Sequence, residues 1–204
     1  MQTIRSFIGG FLALFLLAFI ALKDAQAHSF KVGFLLPMTG AEAESGTQAL
    51  NGFLLATAER DGHADEEADG HLGGLDVYIL KIDSNQDGSA ISQEISRLVR
   101  GQEIQFFTGF IPRTVRKAVR GQLLGTGVVF IDLAVPSSQD QLTMDGMPFT
   151  ASFSRQFGSP PLNAAHQGYR QARLIDRVVR ALEGDFTDAD KVSVTFEGLI
   201  RQKK

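Results

Sequence analysis

Short apolar runs alternate with longer amphipathic stretches between residues 30 and 131. Four of these runs are rich in β-branched, aliphatic and aromatic residues and have the length of buried strands. They are Phe30–Leu36, Leu75–Ile82, Ile104–Thr108 and Gly127–Ile131. The first run ends at Pro37-Met38-Thr39-Gly40, a sequence typical of a turn. The pattern therefore predicts four strands separated by connections long enough to hold helices.

The connections between these runs have helical spacing. Residues 46–60 and 113–124 are predicted helices, and a third helix follows Asp87 or Ser89, either of which could cap it. Its apolar stripe, typical of a helix packed on a sheet, consists of Ile91, Ile95, Leu98 and Val99. Alternating strands and helices of these lengths favour right-handed crossovers, which form a doubly wound parallel sheet with helices on both faces. The predicted fold class is α/β.

The pattern changes after Ile131. Residues 133–147 carry prolines, serines and glycine with little periodicity, and we interpret them as an irregular connection. Helices are predicted over Phe149–Phe157 and Ala164–Leu182, the second with a broad apolar face. Val192–Ile200 fits a short strand or a helix.

The first 27 residues have the organisation of a signal peptide. Arg5 precedes an uncharged apolar run, Phe7–Leu22, which is shorter than the ~20 residues that a membrane-spanning helix needs. Ala25-Gln26-Ala27 then matches the small-x-small cleavage pattern. We expect cleavage after Ala27 and export to the periplasm, leaving residues 28–204 as one domain. An uncleaved membrane anchor is the alternative.

The composition and the absence of enzyme motifs exclude or disfavour several classes of function. The chain has no cysteine, which excludes thiolate metal sites, cysteine nucleophiles and a lipoprotein anchor. Its formal net charge of −3 does not favour nucleic-acid binding, which needs a basic surface. No hydrolase, zinc-protease, P-loop or dinucleotide-binding motif is present. We therefore expect a binding protein that has no cofactor and is not an enzyme.

Five blocks of the sequence carry a resemblance to a known family. The block KVGFLLPMTGAEAESGTQALNGFLLATA combines a strand, P-x-T-G, a further glycine and N-G before a helix of small residues. The late block FSRQFGSPPLNAAHQGYRQARL contains A-x-x-G-Y followed by a helix. The others are residues 75–87, Phe107-Thr108-Gly109 and residues 128–138. Together they resemble the leucine-binding type of type I periplasmic binding proteins, which are substrate-binding components of ABC transporters.

The resemblance also indicates what the chain lacks. In the family a second α/β lobe is inserted before the late block, but only Gln141–Ser152 stands at that place here. These residues are too few for even one βαβ unit, which takes ~30. The expected architecture is therefore the first lobe alone, with the second lobe missing.

Ligands of open parallel sheets bind outside the carboxyl ends of the strands, where the strand order reverses. Three loops are predicted to form this edge: residues 37–46, 109–113 and 133–138. The resemblance implies that the last two hold the carboxylate and ammonium groups of an amino acid. The candidate ligand-binding residues in these loops are Thr39, Ser45, Gly109, Phe110, Ala134 and Ser137. Polar residues of the family are replaced here by Phe110-Ile111-Pro112 and Ala134-Val135-Pro136. We expect a small amino acid or carboxylate to bind weakly or with altered specificity, in cooperation with an inner-membrane ABC permease.

Two features support other functions. The first is four cations along one face of the helix that begins at Arg113: Arg113, Arg116, Lys117 and Arg120. Such a face is usually only solvated, but it could dock an acidic partner, and a non-catalytic interaction protein that binds another periplasmic protein is the alternative function. The second feature is His63–His71, where histidines and acids could bind a metal, although its spacing fits no known site and a solvated loop is the simpler interpretation.

Overall fold

The computed structural model describes residues 29–59, 67–101, 104–132, 142–143 and 146–201. Five strands lie within these ranges: β1 (Ser29–Leu36), β2 (His71–Leu72), β3 (Leu75–Asp83), β4 (Phe106–Gly109) and β5 (Val129–Phe130). The helices are α1 (Ala43–Ala58), α2 (Gly88–Arg100), α3 (Arg113–Leu123), α4 (Phe149–Phe157), α5 (Asn163–Ala181) and α6 (Ala189–Arg201).

The strands form one sheet in the order β2-β3-β1-β4-β5. β1 pairs in parallel with β3 and β4, and β4 pairs in parallel with β5. Only the two-residue β2 runs antiparallel, against β3, and the periodicity did not predict it. Within the described ranges there is no second sheet. The predicted single-lobe α/β fold with the second lobe missing is confirmed.

Hydrophobic side chains cover both faces of this sheet. In β1, Phe30, Val32 and Phe34 belong to a core shared with α1 and α5, whereas Leu35 belongs to a second core shared with α2 and α3. All four side chains are buried. Because successive residues of a strand point to opposite faces, a run such as FKVGFLL can serve both cores. This explains why β1 is nearly continuously apolar, as expected for a central parallel strand.

The structure settles the ends of several elements. β4 begins at Phe106, two residues later than predicted, and β5 is reduced to Val129–Phe130. Val192–Ile200, ambiguous in sequence, lies within helix α6. Val192, Phe196 and Leu199 lie at i, i+4 and i+7 and pack on the core with α5, which gives the segment a helical rather than a strand-like period.

The late helix α5 packs along α1, so the two matching blocks belong to one lobe. The side chain of Gln48 in α1 accepts a hydrogen bond from the backbone N–H of Leu162, just before α5, at 3.1 Å. Further along, the Tyr169 hydroxyl donates to the Glu59 carboxylate at 2.9 Å. Hydrogen bonds therefore join the first half of α5 to α1 at two places. None of the helices in the described ranges is long and apolar enough to cross a membrane.

Candidate functional site

The predicted ligand-binding edge lies where β1 and β4 end. Leu35 near the end of β1 pairs with Gly109 at the end of β4, so the two following loops leave the sheet side by side. The helix after β1 packs on one face, and the helix after β4 packs on the other. This divergence is the topological switch point at which open α/β sheets bind ligands. The structure therefore brings together two of the three predicted loops.

The loop after β1 is tied to the loop after β3. Asn85 donates through its Nδ2 to the Thr39 hydroxyl oxygen at 3.1 Å and also to the Thr39 carbonyl. The Asp83 carboxylate accepts from the backbone N–H groups of Met38 and Asn85 at 3.1 and 3.0 Å. Thr39 is exposed and Ser45, in the first turn of α1, is half-buried. Thr39 thus accepts through both its carbonyl and its hydroxyl oxygen, and its hydroxyl hydrogen remains able to donate.

Gly109 ends β4 in a conformation that only glycine adopts readily. Its φ is +127°, and a Cβ at this position would lie 2.1 Å from the carbonyl oxygen of Leu35. Its own carbonyl accepts a hydrogen bond from Nε2 of Gln171, a fully buried residue of α5, at 3.0 Å. The candidate loop is thereby fixed to the α5 side of the sheet.

Phe110-Ile111-Pro112 links β4 to α3 and contacts both cores. Phe110 is half-buried against the α1/α5 core, while Ile111 is buried in the α2/α3 core. The Ile111 carbonyl accepts from Nη2 of Arg116 at 3.2 Å. No side chain caps the start of α3, whose first turn leaves backbone N–H groups without intrahelical acceptors. Side chains therefore hold the loop from both faces, and its N–H groups remain as possible donors.

The basic face of α3 is only partly the solvated surface that its spacing predicts. Nε of Arg116 lies 2.8 Å from Oδ2 of Asp132, a carboxylate just after β5 that is 8% exposed. Arg120 approaches the same oxygen at 3.9 Å, and its guanidinium lies 5.6 Å from the centre of the Phe130 ring. Arg113 and Lys117 are exposed, as predicted. The interpretation of Arg116 as a surface cation is wrong, because Asp132 and the Ile111 carbonyl draw its side chain inward.

Ala134 and Ser137, the candidate residues of the third loop, lie outside the described residues. The described chain stops at Asp132 and resumes at Leu142, so their part in a site stays a prediction.

Within the histidine and acid segment His63–His71, the described residues Asp69 and His71 bind other residues of this protein through a hydrogen bond and an ion pair. His71 Nε2 lies 2.6 Å from the Asp76 carboxylate, its cross-strand partner. The Asp69 carboxylate accepts from the backbone N–H of Ile79 at 2.7 Å. No cluster of three metal-ligating side chains occurs among the described residues, while His63, Asp65 and Glu66 lie outside them.

A cleft of about 830 Å³ lies at the opposite, amino-terminal edge of the sheet. Its lining includes Ser29, Gln105, Phe186 and Lys191. Phe186 packs against Phe30 and Phe106 with ring centres 5.7 Å away in both cases. This cleft was not predicted, because it depends on the turn between α5 and α6, which has no periodic signal.

The geometry and the sequence lead to the same family. The family model described as periplasmic binding protein matches residues 29–156, more than half of the chain. The chain belongs to the periplasmic binding protein family. Membership implies a periplasmic location, and the family consists of solute-binding proteins, which are not enzymes. The predicted leader, residues 1–27, lies outside the described residues.

Solved periplasmic binding proteins share the fold at low sequence identity. A solute-binding protein of an R. palustris ABC transporter, in complex with benzoate, has a TM-score of 0.64 and 13% identity, covering 82% of this chain and 85% of that chain. A leucine-binding protein from Thermotoga maritima has a TM-score of 0.61 and 10% identity, covering 82% and 87%. An ABC transporter substrate-binding protein from Sphaerobacter thermophilus has a TM-score of 0.61 and 11% identity, covering 82% and 85%. No curated protein gives a match.

Sequence reasoning missed three residues that shape this edge of the periplasmic binding protein lobe. Gln171 was included only in the helix pattern of α5, Asn85 was not singled out, and Asp132 stood unremarked beside the candidate loop. A polar residue within an apolar helix face is a usable signal for Gln171, since a buried amide needs a partner. The partner of Asn85 is Thr39, 46 residues away, and the partner of Asp132 is Arg116, on the neighbouring helix α3. The sequence alone does not show either pairing.

Proposed function

We propose that this protein is a single-lobe solute-binding component of an ABC-type uptake system. Residues 1–27 would be its cleaved leader, and residues 28–204 its periplasmic domain. The ligand would be a small carboxylate, either an amino acid or a simple organic acid, at the carboxyl ends of β1 and β4. The observation that carries the proposal is the pair of loops at the switch point, with Thr39 on one and the Gly109–Phe110 turn on the other.

Donor groups and positive charge at this edge support a carboxylate ligand. The first turn of α3 begins directly after the candidate loop and contains no acidic residue. Helix N-termini favour anions because their N–H groups and dipole point outward. Arg113 and Lys117 add two exposed cations on the same helix. The benzoate bound in one similar structure and the leucine named in another are both carboxylates.

A single lobe predicts weak binding. In two-lobe proteins, closure of the second lobe shields the ligand from water, which strengthens each electrostatic contact. Here Thr39 and Arg113 are exposed to solvent. A ligand on this edge would exchange rapidly, and its affinity would be limited by the hydrogen bonds of one lobe.

The proposal is tested by NMR titration of the chain from His28 with benzoate and with leucine. Saturable shifts of the Thr39, Gly109 and Phe110 amide signals by at least one probe are expected. Two variants isolate the donors: Arg113→Ala removes the guanidinium, and Arg113→Pro also removes the N–H of the first helical residue. Proline is tolerated there because the position needs no intrahelical bond and the preceding residue is already extended, with ψ of 144°. Arg113→Pro should bind more weakly than Arg113→Ala. Shifts spread over the surface, or none at millimolar probe, would refute the proposal.

A second candidate function is a non-catalytic interaction protein. Met38, after β1, and Leu142 and Met147, in the connection after β5, are exposed apolar residues, with 48%, 66% and 41% of their surfaces accessible. A protein partner that covers such exposed apolar residues would remove them from water, which favours binding. The test is retention of a periplasmic protein by the wild-type chain but not by a Met38→Glu/Met147→Glu variant, followed by reconstitution from the two purified proteins. Loss of binding in the variant only, with no small-molecule response, would favour this function.

A further inference from the structure

We infer that two copies of this chain associate through the carboxyl-end edge of the sheet, with the acidic side of each edge against the basic side of the other. This association needs no ligand and so goes beyond the proposed function, whose ligand site would then lie between the two copies. Three features of the edge support it: its exposed charges are segregated, apolar side chains are exposed between them, and the charges at its centre are not paired within the described part of the chain.

The loops that carry these charges leave the sheet at one level. β1 is a parallel neighbour of both β3 and β4. Leu36 lies opposite Asp83, and Leu35 lies opposite Gly109. The chain after each strand therefore emerges at the same edge, within two strand spacings, or about 10 Å, of the others. The loops after β3 and β1 form one side of this edge, and the loop after β4 with the start of α3 forms the other.

The β3 and β1 side is acidic. Glu42 directly precedes α1, Glu44 lies in its first turn, and both side chains are exposed. Asp87, which caps α2, is also exposed. Lys81, near the end of β3, is an exposed cation that offsets part of this charge. Carboxylates therefore dominate the described part of this side.

The β4 side is basic. Helix α3 begins there with Arg113, Lys117 lies one turn later, and both are exposed. The first turn of α3 contains no acidic residue. Asp132, the carboxylate after β5, is nearly buried and is paired with Arg116 instead. The exposed charge on the described part of this side is therefore positive.

Apolar side chains are exposed where the loops after β1 and β4 leave the sheet. Met38, after β1, has 48% of its surface accessible. Phe110 and Pro112, after β4, are half-buried. An apolar centre within a polar rim is the usual anatomy of a protein interface. A partner that covers this centre would remove its apolar surface from water, which favours association.

A second copy of this chain matches both sets of charges at once. Four side chains beside the apolar centre form no ion pair within the described part of the chain: Glu42, Glu44, Arg113 and Lys117. In a two-fold symmetric contact, residue i of one copy meets residue j of the other, and residue j meets residue i. A two-fold axis along the boundary between the β1 and β4 loops sets each acidic side against a basic side. A uniformly acidic or basic partner would match one side and be repelled by the other.

The test measures the mass of the chain from His28, which contains every described residue, by sedimentation equilibrium without ligand. Wild type should reach twice the mass of one chain, with a dissociation constant that rises with salt, because salt screens exposed charges. Glu42→Lys/Glu44→Lys turns the acidic side basic, and Arg113→Glu/Lys117→Glu turns the basic side acidic. Each variant alone should dimerise at least about tenfold more weakly than wild type, because like charges then face each other.

An equal mixture of the two variants tests the pairing itself. One variant presents positive charge on both sides and the other presents negative charge on both, so every charged contact across a mixed dimer is attractive. The mixture should dimerise with an affinity within about tenfold of wild type. The control is Glu183→Lys/Asp190→Lys, which changes the net charge as the first variant does. Both residues are exposed beside the cleft at the opposite edge, so dimerisation should not change.

Each contrary result overturns the proposed contact. Wild type may not remain a monomer at the highest concentration reached. A dimer that persists in either charge-reversed variant would place the contact on another surface. Failure of the mixture to dimerise would contradict the pairing of acidic with basic sides, and an equal loss in the control would indicate a general effect of net charge. Because no ligand is present, none of these results decides the proposed function, which the NMR titration tests separately.

Discussion

Gly52 of α1 lies directly against the backbone of Ala165 in α5. A Cβ built on Gly52 would stand 1.9 Å from the Ala165 carbonyl oxygen, closer than any real contact. The relationship is reciprocal, because a Cβ on Gly168 would stand 1.8 Å from the Ala49 carbonyl oxygen. Each glycine lies about one helical turn after the alanine of its own helix that the other glycine meets. Because neither glycine has a side chain, the two helix backbones can touch. This contact joins the early and late parts of the chain into one lobe.

The contact predicts a strong effect of one methyl group. Gly168→Ala must push the helices apart, and we expect a loss of about 1–3 kcal/mol in the free energy of unfolding, typical of overpacking. The matched control is Gly121→Ala in α3, where no atom lies within 4 Å of the added Cβ. That variant should be more stable by up to about 1 kcal/mol, because alanine favours the helix. Urea unfolding measures both. Similar behaviour of the two variants would contradict the close contact.

The glycine contact shows which parts of the fold the sequence could predict and which it could not. Apolar periodicity predicted α1 and α5 as helices, because burial of one face leaves a regular signal along a single segment. It could not predict that Gly52 meets Ala165, since that pairing depends on how two distant segments cross. The same limit applies to the site. Gly109 and Phe110 were predicted from their place after a strand, but Gln171, 62 residues away, shows its role only in the folded structure.

The cap of α2 predicts a pH-dependent contribution to stability. Asp87, one of the two predicted caps, accepts hydrogen bonds from the Ser89 hydroxyl and from the backbone N–H groups of Ala90 and Ser89. These bonds, that from the Ser89 hydroxyl foremost, hold the pKa of the Asp87 carboxyl below its ordinary value. The charged form is therefore favoured by folding. Its contribution is complete above the ordinary carboxyl pKa and is lost as pH falls through the lower pKa of the folded state.

The measurement compares wild type with Asp87→Asn, which keeps an oxygen acceptor for the cap but carries no charge. Wild type should be the more stable protein at neutral pH, and the difference in Tm should shrink as the solution is acidified below pH ~4, where a carboxyl begins to protonate. Other acidic groups are common to both proteins and cancel in the comparison. A difference in Tm that stays constant down to pH ~2 would show that the charge of Asp87 plays no part.

A buried carboxylate ties the β2–β3 turn to α5. The Asp176 side chain, 5% exposed, accepts from the backbone N–H of Gly73 at 2.9 Å and pairs with Arg180 at 3.2 Å. Asp176→Ala leaves the Gly73 N–H without this acceptor, and we expect a loss of about 1.5–3 kcal/mol, the range for charge-assisted hydrogen bonds. Arg180→Ala should cost about 0.5 kcal/mol or less, because that side chain is 45% exposed. Chemical unfolding of both variants checks the order, and a larger loss for Arg180→Ala would contradict it.

The ion pair between Arg116 and Asp132 should contribute more to stability than the other cations of α3. The Asp132 side chain is nearly buried. Arg116→Met leaves Arg120, 3.9 Å away, as its one remaining cation among the described residues, and we expect a loss of about 1.5–3 kcal/mol in the free energy of unfolding. Arg113→Met, on the same helix and exposed, should change the free energy of unfolding by less than about 0.5 kcal/mol. In a double-mutant cycle with Asp132→Asn, the coupling energy should exceed ~0.5 kcal/mol, because the two side chains are in contact. If Arg116→Met and Arg113→Met unfold alike, the ion pair with Asp132 contributes nothing measurable to stability, and Arg116 behaves like the exposed cations of the same helix.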